Sequence, residues 1–169
     1  MRVLFDHQIF SLQRFGGISR YFVQLASQLS QIPSLQPHIY SPFFINEYLA
    51  AESAIRSSIS FKVPPLKGSS RFCNTFNKLF LPTILNTVKP DIFHQTYYRS
   101  TANSISSIKN ILTVYDMNHE IYPQYFPSSD HTSLLKKHSV SNADHVLCIS
   151  HNTKNDLVRL FRVPESKIT

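Results

Sequence analysis

The chain has 169 residues, 42% of them hydrophobic and 16% charged, with Gly 3, Pro 10 and Trp 0. That apolar share supports a folded core and excludes an intrinsically disordered chain, while so few glycines exclude a collagen-like or Gly-rich repeat protein. The formal charge of +7 calls for an anionic partner. Only Lys136 and Lys137 stand side by side, however, and no nucleic-acid-binding motif is present, so a small anion or an anionic membrane surface is favoured over nucleic acid.

In chain order, Arg2–Phe5 reads as a buried strand ending at Asp6. A polar and aromatic loop leads to Phe15-Gly16-Gly17. Ile18, Tyr21, Phe22, Leu25, Ala26, Leu29 and Ile32 then recur at helical spacing until Pro33 stops them. Gln36–Ser41 is expected to be a strand, Asn46–Arg56 a helix and Ile59–Val63 a strand closed by Pro64-Pro65. After a turn at Gly68–Ser70, Phe72, Phe76, Leu79, Phe80 and Ile84 repeat at helical spacing, and Pro82 is expected to kink or interrupt that helix. Asp91–His94 reads as a strand with His94 and Gln95 at its end, and Asn110–Tyr115 as a strand running into Asp116. A helix over Thr132–Ser141, a strand over Asp144–Ile149 and a helix capped by Ser150 follow. Lys167-Ile168-Thr169 looks like the first step into another strand.

Strands alternating with helices, the strands being continuous apolar runs, belong to a parallel sheet covered on both faces. The expected fold class is therefore α/β, a doubly wound parallel sheet. No stretch approaches the roughly 18 uninterrupted apolar residues of a membrane-spanning helix. The opening MRVLFDHQIF is too soon broken by Asp6 to be expected as a signal peptide. Cys73 and Cys148 lie far apart in apolar surroundings and read as buried thiols, which points to a reducing, cytoplasmic setting.

Ligands of parallel α/β sheets sit beyond the carboxyl ends of the strands. Four such ends offer polar residues: Asp6 with Gly16-Gly17, His94 with Gln95, Tyr115-Asp116 with His119-Glu120, and Ser150 with His151. The diglycine before a helix allows unusual φ and close approach of a ligand to helix amides that favour negative charge, or it makes a tight turn. His94 could donate a hydrogen bond, act as a base or simply pack. Asp116 could bind sugar hydroxyls, act as a base or cap the turn that follows it. His119-Glu120 lacks the second histidine of H-E-x-x-H, so no metal is expected. Tyr115, Tyr122, Tyr125 and Phe126 could stack on a sugar ring, meet a lipid surface or anchor a loop. Ser150 is outside any G-x-S-x-G, and neither a P-loop nor G-x-G-x-x-G is present.

Four segments in order resemble the N-terminal domain of the family 4 glycosyltransferases, retaining enzymes of two-domain GT-B architecture. They are RVLFDHQIFSLQRFGGISRYFVQLASQL, PDIFHQTYY, ILTVYDMNHEIYPQYF and NADHVLCISHNTKNDLVRLFRVPESKI. The resemblance covers Arg2 to Thr169 and implies a Rossmann-like, three-layer α/β/α domain over residues 1–169. That domain would be the acceptor-side half of an enzyme whose C-terminal nucleotide-sugar domain is absent here, and the half alone is expected to be inactive. The implied reaction moves a sugar from a nucleotide-sugar donor to a saccharide or lipid-linked acceptor, with no metal cofactor. The alternatives are a non-catalytic sugar- or phosphate-binding module and a GT-B sugar-nucleotide epimerase.

Carried over by position, Gly17 with Gly16 would let a backbone amide approach the donor, and Arg20 opens the helix behind them. Many members of the family have His-Asp where this chain has Tyr115-Asp116, so Asp116 is the expected catalytic position and Tyr115 replaces the histidine. His119 is a nearby imidazole, and His94, Gln95 and Ser150 are expected substrate contacts. Apart from the resemblance, the basic balance and the aromatic loops suit peripheral contact with an anionic inner membrane face, which agrees with the cytoplasmic setting expected from the cysteines.

Overall fold

The computed structural model describes residues 1–55, 60–99 and 107–169. These divide into two compact units, Met1–Thr96 and Tyr97–Thr169.

The first unit is built on three parallel strands. β1 (Arg2–Phe5) lies between β2 (Gln36–Ile39) and β5 (Ile92–Gln95), with Phe5 opposite Ile39 on one side and His94 on the other. Val3, Leu4 and Phe5 are buried, as a strand paired on both sides requires. Pro37 sits in β2, which among the described residues is an edge strand paired with β1, where a proline is tolerated. The last ladder bond of this pair runs from the Tyr40 amide to the Phe5 carbonyl, and on its other side Ile39 donates to the Ile55 carbonyl.

α1 (Gln8–Leu12) occupies part of the stretch expected as loop. Its single turn has no periodicity to betray it. It is held from outside: the Gln8 amide donates to Asp6 Oδ1 and the Ile9 amide to Thr96 Oγ1. α2 (Gly17–Leu29) follows the expected helix closely, burying Ser19, Phe22, Val23 and Ala26. Of these, Phe22 and Val23 each contribute roughly 1.5–3 kcal/mol.

β3 (Phe43–Phe44) and β4 (Phe61–Lys62) form a separate two-stranded parallel sheet. β4 is shorter than the expected strand Ile59–Val63, whose Ile59 lies outside the described residues. α3 (Glu47–Ala51) is likewise shorter than expected, with Arg56 outside the described residues. Asn46 caps it, accepting from the Leu49 amide at 3.0 Å while donating to the Gln13 carbonyl at 2.8 Å.

Of the two outcomes expected at Pro82, interruption does not occur: α4 (Ser69–Val88) runs 20 residues through it. The proline is on the exposed side of the helix, where a carbonyl that loses its intrahelical donor can be met by water. The inward face is also not the stripe that announced the helix. Cys73, Asn77, Leu81 and Leu85 point inward, whereas Phe72, Phe76, Leu79 and Phe80 are exposed and Ile84 is half-buried. Asn77 is bonded on that inward face. Its Nδ2 donates to the Phe43 carbonyl at 2.6 Å and its Oδ1 accepts from the Phe43 amide at 3.0 Å, which fastens α4 to β3. Gly68, at the N-cap, has φ 95°, a conformation that costs a side-chain-bearing residue about 1–2 kcal/mol.

The second unit carries the parallel pair β6 (Lys109–Val114) and β7 (His145–Cys148). Around them are α5 (Asn118–Ile121), α6 (Thr132–Asn142) and α7 (His151–Phe161). Leu112, Val114, Val140, Val146, Leu157 and Val163 form its core. The last expected strand is reduced to one parallel bridge between Val146 and Ile168.

Both cysteines are free, Cys73 buried and Cys148 half-buried, so the second is less enclosed than its sequence surroundings suggest. Burial pushes each thiol up to about 11.

Candidate functional site

In the first unit the expected residues gather at the end of β1. Asp6 is fully buried there and its carboxylate is wholly engaged. Oδ1 accepts from the Thr96 amide at 3.0 Å and from the Thr96 hydroxyl, and Oδ2 accepts from Gln8 Nε2 at 2.7 Å. Asp6 therefore joins the ends of β1 and β5 rather than facing a ligand. Beside it His94 is 4% exposed. Its ring lies 5.3 Å from that of Phe5 and meets the Phe22 ring edge-on at 5.2 Å. Burial pulls its imidazole down to about 4, against a smaller opposing pull from the Asp6 charge. The ring is thus neutral at ordinary pH, which suits hydrogen bonding and packing better than proton transfer. Gln95 is buried as well.

The diglycine does not use the freedom that glycine offers. Gly16 is extended, with φ 172°, and Gly17 is the first residue of α2. Among the described residues the nearest atoms to a Cβ at Gly16 belong to the movable end of Gln13, and a Cβ at Gly17 would meet nothing within 4 Å. No side chain caps the helix end, and the Ser19 hydroxyl turns back to the Gly16 carbonyl at 3.0 Å. Arg20, one turn in, is exposed and makes no ion pair among the described residues. The helix start thus presents amides, open space over Gly17 and a cation, a combination suited to an anionic group.

In the second unit the end of β6 organises a different cluster. Asp116 follows β6 and its Oδ1 accepts from the Asn118 amide at 3.0 Å, capping the turn into α5. Oδ2 accepts no hydrogen bond among the described residues. Lys136 reaches up from α6 and donates to the Asp116 carbonyl at 2.9 Å and to Glu120 Oε2 at 2.7 Å. The Lys136 and Glu120 side chains are 1% and 6% exposed, so this is a buried ion pair. Lys136 Nζ also lies 5.5 Å over the Tyr98 ring, and burial drives the Tyr98 phenol far above its ordinary range. Sequence reasoning missed the pair by treating Lys136 as half of a basic doublet. The available signal was its register: Lys136, Ser139 and Val140 share the buried face of α6.

His119 and Glu120, adjacent in sequence, turn to different partners. His119 stacks on Phe126 at 3.8 Å and its Nε2 lies 3.4 Å from Asp130 Oδ2. Asp130 is held below the usual carboxylate range, first by Thr132 and then by His119. Among the described residues no group of three His, Cys, Asp or Glu side chains is placed to hold a metal ion. His119, Glu120, Phe126, Asp130, Ser133 and Phe161 line an open cleft of about 490 Å³. Aromatic faces beside carboxylate, imidazole and hydroxyl groups are chemistry that accepts a saccharide. Ser150 is the N-cap of α7, accepting from the Thr153 amide at 3.1 Å, and the Thr153 hydroxyl in turn reaches the Tyr115 carbonyl at 3.3 Å. The expected residues Tyr115, Asp116, His119 and Ser150 thus share this unit, while Gly16, Gly17, Arg20, His94 and Gln95 belong to the other.

The model of Glycosyltransferase Family 4 matches residues 15–169. The chain belongs to that family. No curated protein matches it. Among solved structures, the apo form of the lipopolysaccharide outer core galactosyltransferase WaaB is similar over 100% of this chain and 44% of its own, with TM-score 0.55 and 14% identity. A UDP-N-acetylglucosamine 2-epimerase is similar over 99% of this chain and 46% of its own, with TM-score 0.56 and 13% identity. The chain thus spans less than half the length of either protein. At such identities the likeness is one of fold, and it bears out the Rossmann-like α/β class and the resemblance to the N-terminal domain of GT-B enzymes.

Proposed function

We propose that this family 4 chain is the acceptor-side domain of a retaining glycosyltransferase that moves a sugar from a nucleotide-sugar donor to a saccharide or lipid-linked acceptor. A second α/β domain, consistent with the share of the solved structures left uncovered, would bind the nucleotide. The acceptor hydroxyl oxygen attacks the anomeric carbon while the bond from that carbon to the diphosphate breaks. The hydroxyl proton passes to the leaving phosphate oxygen on the same face of the sugar. Such a step asks the protein for positioning and for charge stabilisation rather than for a strong base. The Tyr115 that replaces the family's histidine is compatible with it.

Gly17 is the observation that carries this reading. Its backbone conformation does not require glycine, and among the described residues nothing lies within 4 Å of where a Cβ would stand. A glycine at this point leaves the helix amides open to a ligand drawn close. Arg20 supplies charge to that ligand. In the second unit, taken by itself, Asp116 Oδ2, which accepts no hydrogen bond among the described residues, is available to accept from a sugar hydroxyl.

The test is turnover of the full-length protein with a panel of UDP- and GDP-sugars, with product analysis to separate transfer from epimerisation. Gly17→Val is expected to fold normally and to lower kcat/KM on the order of a hundredfold. Wild-type turnover in that variant removes the close-approach role. Absence of transfer with every donor, together with tight binding of a free saccharide, replaces the enzyme by a binding module.

A further inference from the structure

The charge of this protein has a location. Between Ser53 and Pro90 stand Arg56, Lys62, Lys67, Arg71, Lys78 and Lys89, with no Asp or Glu, so one segment holds six of the seven net positive charges. Reading only for adjacent cations hides this, because the cations are spaced four to eleven residues apart. Most of the segment is β4, the Pro64-Pro65 loop and α4.

The same segment exposes the apolar stripe of α4. Phe72, Phe76, Leu79 and Phe80 fall within one face, opposite the buried Cys73, Asn77 and Leu81. Leu79 is 69% exposed, Phe61 on β4 60% and Leu66 in the preceding loop 74%. The patch is continuous. Phe43 stacks on Phe61 at 6.1 Å and contacts Phe72 and Phe76 at 5.4 and 6.0 Å. Arg71 and Lys78, two turns apart, flank one side of the stripe, and Lys67 and Arg71 line a hollow with Gly68, Ser70 and Asn74 at the start of the helix. Lys62 is committed to Glu47 at 2.5 Å. Lys67, Arg71 and Lys78 make no ion pair among the described residues.

We infer that this face of α4 docks the protein on an anionic phospholipid surface. Aromatic and leucine side chains enter the headgroup boundary and Lys67, Arg71 and Lys78 meet the lipid phosphates. A helix that lies in the interface combines an apolar face with unneutralised cations, as here. Among the described residues no helix is long and apolar enough to cross a membrane. The inference rests on the proposed function only in naming a lipid-linked acceptor as the reason to be there.

The experiment is flotation of the protein with phosphatidylcholine vesicles, with and without phosphatidylglycerol. Binding is expected only to the anionic vesicles and is expected to weaken with salt. Reversing Lys67, Arg71 and Lys78 to Glu should lower the partition coefficient by more than a hundredfold, since each cation near the surface contributes about fivefold. Phe76→Ser with Leu79→Ser should lower it at least about tenfold. These side chains are exposed, so both variants should fold, as far-UV circular dichroism would record. No binding, equal binding to neutral vesicles, or undiminished binding by either variant overturns the inference. So does a wild-type dimer in sedimentation equilibrium that the Ser variant converts to monomer, which would assign the face to a second copy. Gly17→Val is expected to bind vesicles as wild type does, and the α4 variants to keep turnover on a water-soluble acceptor. Lost docking with intact turnover strikes only this inference, whereas docking without any transfer strikes only the proposed function.

Discussion

Lowering the pH should destabilise the first unit through one buried imidazole. His94 is enclosed by Phe5 and Phe22, and burial holds its pKa near 4, against an ordinary value of 6.5. The fold therefore keeps the neutral ring, while the unfolded chain takes up a proton as soon as the pH drops below 6.5. The stability from this site is complete above pH 6.5, falls steadily below it and levels off beneath pH 4, where both states are protonated. The gap between the two values corresponds to about 3 kcal/mol in all, of which about 2 kcal/mol is lost by pH 5. Against the roughly 5–15 kcal/mol that holds a typical domain together, that is a large fraction. Urea unfolding followed by far-UV circular dichroism at several pH values between 7.5 and 5 measures it. His94→Gln, which cannot titrate, is expected to be less stable at pH 7.5 because it packs poorly between two phenyl rings. It should nevertheless lose about 2 kcal/mol less than wild type over the same range. Carboxylate contributions are common to both proteins and cancel in that difference. Parallel stability curves for the two proteins would refute the reasoning.

Other substitutions probe the joints of each unit. Asp6→Ala should cost about 3 kcal/mol or more in chemical denaturation, because it leaves the Thr96 amide and hydroxyl and the Gln8 side chain without their acceptor in a buried place. Lys136→Met should cost about 3–5 kcal/mol by stranding the buried Glu120 carboxylate. Adding Glu120→Gln to that variant should restore most of the loss, and a double-mutant cycle showing additive costs would contradict the ion pair. Gly17→Val should lower turnover without lowering the melting temperature.

What the sequence disclosed follows from which interactions are local. α2 and β1 were legible because their burial is periodic and their stops, Asp6 and Pro33, are chemical. α1 was not, since its five residues are stabilised by Asp6 and by Thr96, the latter far along the chain. α4 shows the deeper difficulty. Apolar spacing located the helix correctly and assigned it the wrong inward face, because nothing local says that Asn77 is satisfied by the backbone of Phe43. That buried asparagine shares the inward face with Cys73, Leu81 and Leu85, so its bonds and their burial act together in orienting the helix.

The candidate site divides along the same line. The helix start at Gly16-Gly17, the strand-end position of Asp116 and the cap by Ser150 could be placed by motif and spacing, which concern backbone geometry. Their electrostatic setting could not. Lys136 was one of two lysines in a row, yet the register of α6 buries it beneath Asp116 and pairs it with Glu120. A charge so deep is costly unless paired, and the pair fixes the main chain on which Asp116 stands. The stiffness of that loop is therefore set by residues that no reading for sugar contacts would select. Substrate contacts and their supports are separate in sequence for a physical reason: the first need exposure, and the second act only when dry.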